Sequence, residues 1–315
     1  MISTILGAIL IALGVVALAT PYLPIPGHTA LVAVTVSPLL IPAAPLAVVV
    51  LLWGRHWVLA AVAVVLTAAL IAVQLPWHLR ASPAPDSVAV RTMTVNMLHG
   101  RADAAAVTRV ATDSADIVMV QEITPDAVVR LKAAGMDETF PYSAIDARPG
   151  AAGTALYSRY PLADHRNIDG FQVALVAARL QVDGVGARLS VASVHLDAPW
   201  PKPIGAWHSD FALFPTTLAQ LADQSGAGAT IVAGDFNATI EMKPFRGLLT
   251  NGYHDSAEQA GAGRQFTYPG NKRYPPLIGI DHIITRNATA VTTETVKIPD
   301  TDHRALLATI MVPRS

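Results

Sequence analysis

Hydrophobic and polar positions divide the chain into two parts with different patterns. Residues 1–85 contain no Asp or Glu, and Arg55 and Arg80 are their only basic residues. Residues 2–20 and 58–75 are continuous apolar runs, each long enough to cross a hydrocarbon core of about 30 Å as a helix. A third run, residues 30–53, is also long enough but contains prolines, which kink or shorten a helix. The pattern predicts three membrane helices.

The few charges in this part indicate an orientation. Arg55 lies in the short loop before the last apolar run, and basic loops favour the cytoplasm. Three spans then place the C-terminal part outside, although Arg80, just after the last span, favours the opposite orientation. The 315 residues include no cysteine, which excludes disulfides and thiol catalysis and fits an exported domain. We therefore predict a multi-pass protein of a bacterial-type cell membrane with an extracytoplasmic C-terminal domain.

The same pattern predicts the domain boundaries. Residues 1–78 form a membrane region, residues 79–87 a proline-rich linker, and residues 88–315 a separate domain. The chain has 22 basic and 23 acidic residues, and removing the two early arginines leaves 20 basic and 23 acidic residues after position 85. The C-terminal part is therefore slightly acidic, with a net charge of −3 from this subtraction.

Polar side chains follow several of the apolar strands predicted in this second part. Asn96 follows a strand at residues 88–95, and Glu122 ends a strand that begins at residue 116. His195 follows residues 187–194, which we expect to pair as a hairpin with residues 171–182. Polar groups delivered at strand ends are typical of a site at one edge of a sheet.

The central motif is the segment Ile-Val-Ala-Gly-Asp-Phe-Asn at residues 231–237, a short buried strand with an abrupt end. Because side chains alternate along an extended backbone, Asp235 and Asn237 point to the same side and Phe236 points away. Two interpretations remain open at this point. The pair is either an Asx-type turn that closes an ordinary strand or part of a functional site.

The other predicted elements are helices at residues 103–112, about 216–224 and 242–250, and strands at residues 153–161, 277–285 and 305–312. Asp281 lies in one of these apolar strands and needs a partner, since an unpaired buried carboxylate is costly. His303 is available twenty-two residues later and would satisfy both groups. Residues 197–224 hold several prolines and aromatic residues, and we expect them either to pack on themselves or to touch substrate or lipid near the site.

The sequence resembles the endonuclease/exonuclease/phosphatase superfamily, which includes deoxyribonuclease I, apurinic endonucleases, bacterial sphingomyelinases and inositol polyphosphate 5-phosphatases. The resemblance covers residues 88–312 and rests on motifs that occur in order: Asn96, Gln121-Glu122, residues 153–161, residues 194–196, residues 234–237, residues 280–282 and residues 302–304. It implies an α/β fold, a four-layer sandwich of two mainly antiparallel sheets flanked by helices, here preceded by the transmembrane region.

The resemblance also implies roles for the candidate residues. Glu122 is the expected principal ligand of Mg²⁺, with Mn²⁺ as the alternative metal, and Asn96 and Asp302 belong to the metal environment. The expected catalytic residues are His195 at the phosphate or leaving group, Asp235 and Asn237 at the nucleophile, Asp281 as the support of a histidine, and His303 as general base. Whether Asp235 or His303 activates water stays open.

The expected function is hydrolysis of a phosphodiester or phosphomonoester by a metal-dependent phosphoric ester hydrolase. The membrane anchor favours a lipid or cell-envelope phosphate ester, because tethering raises the effective concentration at the bilayer. A nuclease acting on DNA or RNA is the alternative, although an acidic domain disfavours binding of nucleic acid. A catalytically silent module that binds a phosphorylated ligand is an alternative of another class. The expected partners are the substrate and the lipid bilayer, with no obligate protein partner.

Overall fold

The structure, a computed structural model, describes residues 1–314. Its helices are α1 (Ile2–Ala19), α2 (His28–Val36), α3 (Ala43–Trp53), α4 (Trp57–Gln74), α5 (Ala104–Ser114), α6 (Pro125–Ala133), α7 (Met136–Thr139), α8 (Gly205–Ser225), α9 (Lys243–Arg246) and α10 (Ser256–Gln259). Its strands are β1 (Ser87–Asn96), β2 (Ile117–Gln121), β3 (Tyr142–Asp146), β4 (Thr154–Ser158), β5 (Leu162–Asn167), β6 (Val176–Leu180), β7 (Leu189–His195), β8 (Thr230–Asp235), β9 (Tyr253–Asp255), β10 (Asp281–Arg286), β11 (Thr289–Lys297) and β12 (Arg304–Pro313).

The chain forms two compact units, and the first consists of Met1–Pro76 and the short segment Ile240–Arg246. Two of its helical segments, Ile2–Tyr22 and Trp57–His78, are long and apolar enough to cross a membrane. The helical segments His28–Leu40 and Ala43–Trp53 pass the same test only together, and they are bent by 53°. The unit therefore contains two candidate spans, or three if the bent pair is one span. The bend falls where prolines interrupt the predicted middle helix.

The candidate membrane helices approach one another closely at small residues. A Cβ atom on Gly7 would lie 2.4 Å from the Leu51 side chain, and one on Gly14 would lie 2.8 Å from the Leu66 side chain. Such close approach is how membrane helices gain van der Waals contact in lipid. Within the same unit, the Arg246 guanidinium donates to the Pro21 carbonyl and lies 4.6 Å from the centre of the Tyr22 ring.

The second unit contains two six-stranded sheets, which confirm the predicted four-layer sandwich. The strand orders are β11-β12-β1-β2-β4-β3 and β5-β6-β7-β8-β10-β9. One pair near the centre of each sheet is parallel, β1 with β2 and β7 with β8. All other neighbouring strands pair antiparallel, so both sheets are mainly antiparallel, as the family resemblance implied.

Two apolar layers hold the sheets and helices together. Between the sheets lie fully buried side chains from both, such as Met119 and Leu156 from one and Val191 and Ile231 from the other. The outer face of the first sheet packs against α5 and α6 through a second buried cluster. Each buried side chain of this size contributes about 1.5–3 kcal/mol relative to an exposed one. The sandwich therefore holds its edges, and the side chains on them, in fixed positions.

Several elements differ from the sequence-based prediction. Helix α8 begins at Gly205 and continues through Pro215, whereas the prediction began it near residue 216 because a proline usually ends a helix. The aromatic residues Trp207, Phe211 and Phe214 lie on its buried face, and their burial offsets the cost of the proline. These three aromatic residues thus pack inward, as the first of the two interpretations of residues 197–224 held, whereas Trp200 is exposed.

The helix predicted at residues 242–250 is only the four-residue α9, and strands β3, β5, β9 and β11 were not predicted. Strand β5 is an edge strand with mostly exposed side chains, so it lacks the alternation of apolar and polar residues on which the prediction relied. Asp281 is the first residue of β10 and not an interior residue of its strand.

The close pairing of β7 with β8 yields a prediction about Gly234. A Cβ atom on this residue would lie 1.8 Å from the backbone oxygen of Val194. We expect Gly234→Ala to destabilise the full chain by at least about 3 kcal/mol, because backbone atoms of the sheet centre must move apart. Thermal unfolding of the detergent-solubilised protein measures the change. Gly205→Ala is the matched control, since no heavy atom lies within 4 Å of its Cβ position; equal melting temperatures of the two variants would contradict the prediction.

Candidate active site

The strand order brings the predicted polar residues to one end of the sandwich. Asn96, His195 and Asp235 are the last residues of β1, β7 and β8, the strands at the sheet centres. Strand β10 runs antiparallel to β8 and begins with Asp281, opposite Asp235. Strand β12 runs antiparallel to β1, and His303 directly precedes it. Strand direction alone therefore gathers residues that are up to 207 positions apart in the sequence, from 96 to 303.

Asp235 lies at the centre of this group and is buried. Its Oδ2 accepts a hydrogen bond from Asn96 Nδ2 at 3.1 Å. The Nε2 atoms of His195 and His303 lie 3.8 and 3.7 Å from the same oxygen. These two distances exceed a hydrogen bond. Both histidines therefore face the carboxylate closely enough for charge to matter.

Asp281 and His303 form the pair that the sequence suggested. His303 Nδ1 donates to Asp281 Oδ2 at 2.8 Å, which directs Nε2 of the ring towards Asp235. The other Asp281 oxygen, Oδ1, is buried and has no hydrogen-bond partner among residues 1–314. The Tyr268 ring lies 5.1 Å from the His303 ring and limits its movement.

Burial and charge shift the pKa values of the central pair. Burial raises the pKa of Asp235, and the Asp281 carboxylate raises it further, to about 6. Burial alone would lower the pKa of His303, but the negative charges of Asp281 and Asp235 outweigh it and raise this pKa to about 10. The two groups titrate together, and the direction for the pair is clear: near neutral pH the imidazole carries a proton.

Glu122 follows β2 directly and has a left-handed backbone, with φ of 56°. Its Oε1 accepts from Asn96 Nδ2 at 3.1 Å, and its Oε2 accepts from the backbone N–H of His99 at 2.7 Å. Leu98 and His99 also have positive φ values, 48° and 54°. Such conformations are costly for residues other than glycine and cluster at functional sites. The strain here fixes the direction of the Glu122 carboxylate.

Asn96 and Asn237 organise the acidic groups through their amides. Asn96 Nδ2 faces Glu122 and Asp235, while its Oδ1 accepts from the Leu98 N–H at 2.9 Å. Asn237 donates its backbone N–H to Asp235 Oδ1 at 2.8 Å and its Nδ2 to the Leu196 carbonyl at 2.9 Å. The first of these bonds is an Asx turn. The structural interpretation of this motif is thus correct, and the turn also positions the carboxylate.

His195 and Asp302 are the remaining two predicted site residues. His195 Nδ1 donates to the Ala151 carbonyl at 3.2 Å, which leaves Nε2 directed at Asp235. Asp302 is half-buried, its backbone oxygen accepts from the Gly270 N–H, and its charge contributes to the raised pKa of His303. All eight predicted site residues therefore belong to segments that meet at this end.

The donor set fits a hard divalent cation. Glu122 offers a carboxylate, and carboxylate or carbonyl oxygens are the ligands that Mg²⁺ and Mn²⁺ prefer. Asn96 presents its amide nitrogen to the acids, so in this arrangement it orients Glu122. A second group with metal-binding composition, Asp235, Asp281 and His303, has ligand atoms within 4.8 Å of one another. Within this group, Asp281 Oδ1 has no hydrogen-bond partner among residues 1–314, whereas His303 already donates to Asp281 Oδ2 through Nδ1.

The sequence profile of the endonuclease/exonuclease/phosphatase family matches residues 93–303, about two thirds of the chain. The chain belongs to this family. Its members are generally metal-dependent hydrolases that act on phosphoester bonds. A comparison with curated proteins finds no match.

Solved structures share the family fold. An endonuclease/exonuclease/phosphatase from Bacteroides vulgatus is 20% identical, with a TM-score of 0.58 over 71% of this chain and 99% of that chain. Truncated Caenorhabditis elegans TDP2 is 17% identical, with a TM-score of 0.56 over 71% of this chain and 97% of that chain. D. rerio TDP2 complexed with single strand DNA product is 17% identical, with a TM-score of 0.56 over 70% of this chain and 98% of that chain.

Three features of this family member were not identified from its sequence. His99 contacts Glu122 through its ring as well as its backbone, with Nε2 3.3 Å from Oε2. Gln121 links the two sheets, because it accepts from Thr94 in β1 and donates to Ser193 in β7. His282 forms a second buried pair beside Asp281. The sequence did contain a signal for His282, because a histidine in the apolar run at residues 278–284 needs hydrogen-bond partners as much as Asp281 does.

Both ring nitrogens of His282 lie beside acceptors, an arrangement that favours the protonated ring. Its Nδ1 donates to Asp255 Oδ2 at 2.8 Å and its Nε2 donates to the Ala238 carbonyl at 2.9 Å. Burial lowers the pKa of His282, but the hydrogen bond and charge of Asp255, the bond to Ala238 and the charge of Asp281 together outweigh it and raise this pKa. The pair connects the turn after Asn237 to the strand that carries Asp281.

We expect His282→Ala to destabilise the protein by about 3–5 kcal/mol, because it leaves the buried Asp255 carboxylate without its counter-charge. The His282 pKa is raised, so its contribution is full below the unfolded value near 6.5 and is lost as pH rises through the folded value. Thermal unfolding of the solubilised chain at pH 6 and pH 9 measures both effects. His254→Ala, an exposed histidine on β9, is the control; a loss at His254 as large as that at His282 would refute the assignment.

Proposed function

We propose that the protein is a membrane-anchored, Mg²⁺-dependent phosphoesterase that hydrolyses a phosphodiester or phosphomonoester, with a lipid or cell-envelope phosphate ester as substrate. The observation that carries the proposal is the buried Asp235 carboxylate, which faces His195 and His303 and is bridged by Asn96 to Glu122. This arrangement suits in-line attack of water on a phosphoryl group, because it combines a base, two imidazoles and a candidate metal ligand within one small volume.

Asp235 is the better base in this arrangement. Its pKa of about 6 lies near neutral pH, where a carboxylate both is ionised and accepts a proton. The raised pKa of His303 keeps that ring protonated, so it donates to a phosphoryl oxygen and opposes the negative charge that develops there. We therefore propose Asp235 as the base and His303 as the proton donor, in place of the general-base role that the family resemblance implied for His303.

The remaining residues position the phosphate and the metal. Glu122 would hold the divalent cation, with Asn96 and Asp302 in its surroundings, and Mn²⁺ is the alternative to Mg²⁺. A cation bound there supplies neutralisation of phosphoryl charge. His195 Nε2 contacts the phosphate or the leaving group, and Asn237 holds Asp235 through the Asx turn.

The membrane helices and the net charge of −3 of residues 86–315 favour a lipid or envelope substrate over nucleic acid. We place the catalytic domain outside the cell, following the position of Arg55. A nuclease is the second candidate, and the observation in its favour is the likeness of the fold to D. rerio TDP2 complexed with single strand DNA product. A silent binding module is the third, and it predicts no turnover at all.

Metal removal and Glu122→Gln test the proposed activity. We expect hydrolysis by the full chain in detergent to require Mg²⁺ or Mn²⁺, to stop with EDTA, and to fall about 10³-fold or more in Glu122→Gln, because the variant loses a negatively charged ligand. Release of product from plasmid DNA, a phosphomonoester and short-chain phospholipids measures the substrate class. Glu138→Gln, on the exposed face of α7, is the control. A folded protein that is inert on every substrate with either metal would refute the enzyme and favour the binding module.

The pH profile tests Asp235 as base. A base with a pKa of about 6 loses its proton-accepting form as pH falls, so kcat/KM declines tenfold per pH unit below about pH 6. We expect Asp235→Asn to lower kcat by about 10²–10⁴-fold and to abolish this acidic limb. Initial rates between pH 4.5 and 9 measure the limb. If His303→Gln removed the limb and Asp235→Asn left it in place, the roles would be reversed.

A further inference from the structure

A loop beside the catalytic histidine carries exposed basic and apolar side chains. This tip loop comprises residues 269–277, and its base is closed by the pairing of Tyr268 with Ile278. Lys272, Arg273 and Tyr274 are exposed at its tip, and Leu277 is 61% exposed. Among residues 1–314 neither Lys272 nor Arg273 has an ion-pair partner. The loop therefore presents two uncompensated positive charges next to apolar surface.

The base of the tip loop is joined to the active site on both sides. The Gly270 N–H donates to the Asp302 carbonyl at 2.6 Å, and the Tyr268 ring lies against His303. Thr267, one residue before the loop base, accepts hydrogen bonds from the backbone N–H groups of Ile280 and Asp281 through its hydroxyl. The base of the tip loop is thus in direct contact with the segment that carries Asp302 and His303.

A second loop leaves the same end of the sandwich. The Trp200 loop, residues 197–204, begins two residues after His195, the last residue of β7, and its Trp200 side chain is 60% exposed. Its Lys202 is exposed and pairs with Asp197 at 3.0 Å. Together the two loops combine Trp, Tyr, Lys and Arg with an exposed leucine. These are the residue types that settle at a membrane–water interface, where the apolar part enters the lipid and the polar part stays in water.

We propose that the tip loop and the Trp200 loop form a surface that docks on a bilayer containing anionic lipid, so that the active site receives a phosphoester presented at that surface. This inference rests on the proposed function and names its substrate as one embedded in the bilayer. The positive charges explain the choice of partner, because the domain as a whole is acidic and only a local basic surface attracts an anionic leaflet. The membrane helices of the same chain keep the bilayer near at all times.

The absence of cysteine from the sequence allows a direct test. The full chain carrying Leu277→Cys is labelled with an environment-sensitive fluorophore and placed in nanodiscs of phosphatidylcholine, with or without phosphatidylglycerol. Ala227→Cys is the matched control, because Ala227 is exposed in the turn before β8, at the opposite end of that strand from Asp235. We expect quenching by spin-labelled lipid to be at least about threefold stronger at residue 277 when phosphatidylglycerol is present. Equal quenching at the two positions overturns the proposal.

Charge reversal tests the basic residues. Each Lys or Arg at an anionic surface strengthens binding about fivefold, so Lys272→Glu with Arg273→Glu should weaken docking at least about tenfold. Arg109→Glu with Arg166→Glu, two exposed arginines on α5 and β5, is the control pair and should change little. If the tip variant weakens binding of a single-stranded DNA oligonucleotide and leaves lipid quenching unchanged, the loop serves nucleic acid and the proposal fails.

Hydrolysis of a soluble phosphodiester, bis-p-nitrophenyl phosphate, by the same preparations distinguishes a failure of the proposed function from a failure of the proposed docking surface. Docking without metal-dependent hydrolysis would refute the proposed function and leave the docking surface in place. Hydrolysis of the soluble ester without selective quenching at residue 277 would refute only the docking surface.

Discussion

A carboxylate buried at the junction of two sheets sets the main constraint on this protein. Asp235 is removed from water, and an ion in that position is unstable unless other groups compensate its charge. Asn96, Asn237, His195 and His303 provide that compensation, and they come from both sheets. Asp235 is therefore the side chain whose charge needs the most compensation from surrounding groups. Its pKa, about 6, also lies near neutral pH.

Much of the fold and of the site could be predicted because both depend on local pattern. Buried strands such as β2 and β8 are short apolar runs, and the polar residue at the end of each is visible in the sequence. Edge strands such as β5 lack that pattern, and helix α8 violates a local rule at Pro215 because burial of its aromatic face outweighs the proline. The sequence-based prediction was therefore wrong in those parts of the fold in which tertiary packing overrides local preference.

The same limit applies to the chemistry. The chain order of Asp281 and His303 suggested a pair, since both needed partners, and they lie 2.8 Å apart. Which group of the site holds a proton could not be predicted, because it depends on how closely three buried carboxylic and imidazole groups approach one another. The strained turn at Leu98 and His99 could not be predicted either, since leucine rarely adopts a left-handed backbone. The location of the proton and the backbone strain both depend on distances and dihedral angles at the strand ends.

The strand order also determines when the active site can exist during synthesis. Strands β5 to β10 form the second sheet from one continuous stretch of chain, whereas the first sheet needs β1 to β4 together with β11 and β12. β12 lies between β1 and β11, so β1 waits for a partner that emerges from the ribosome more than 200 residues later. His303 directly precedes that last strand. The group of side chains around Asp235 therefore cannot assemble until β12 has been made and has inserted between β1 and β11.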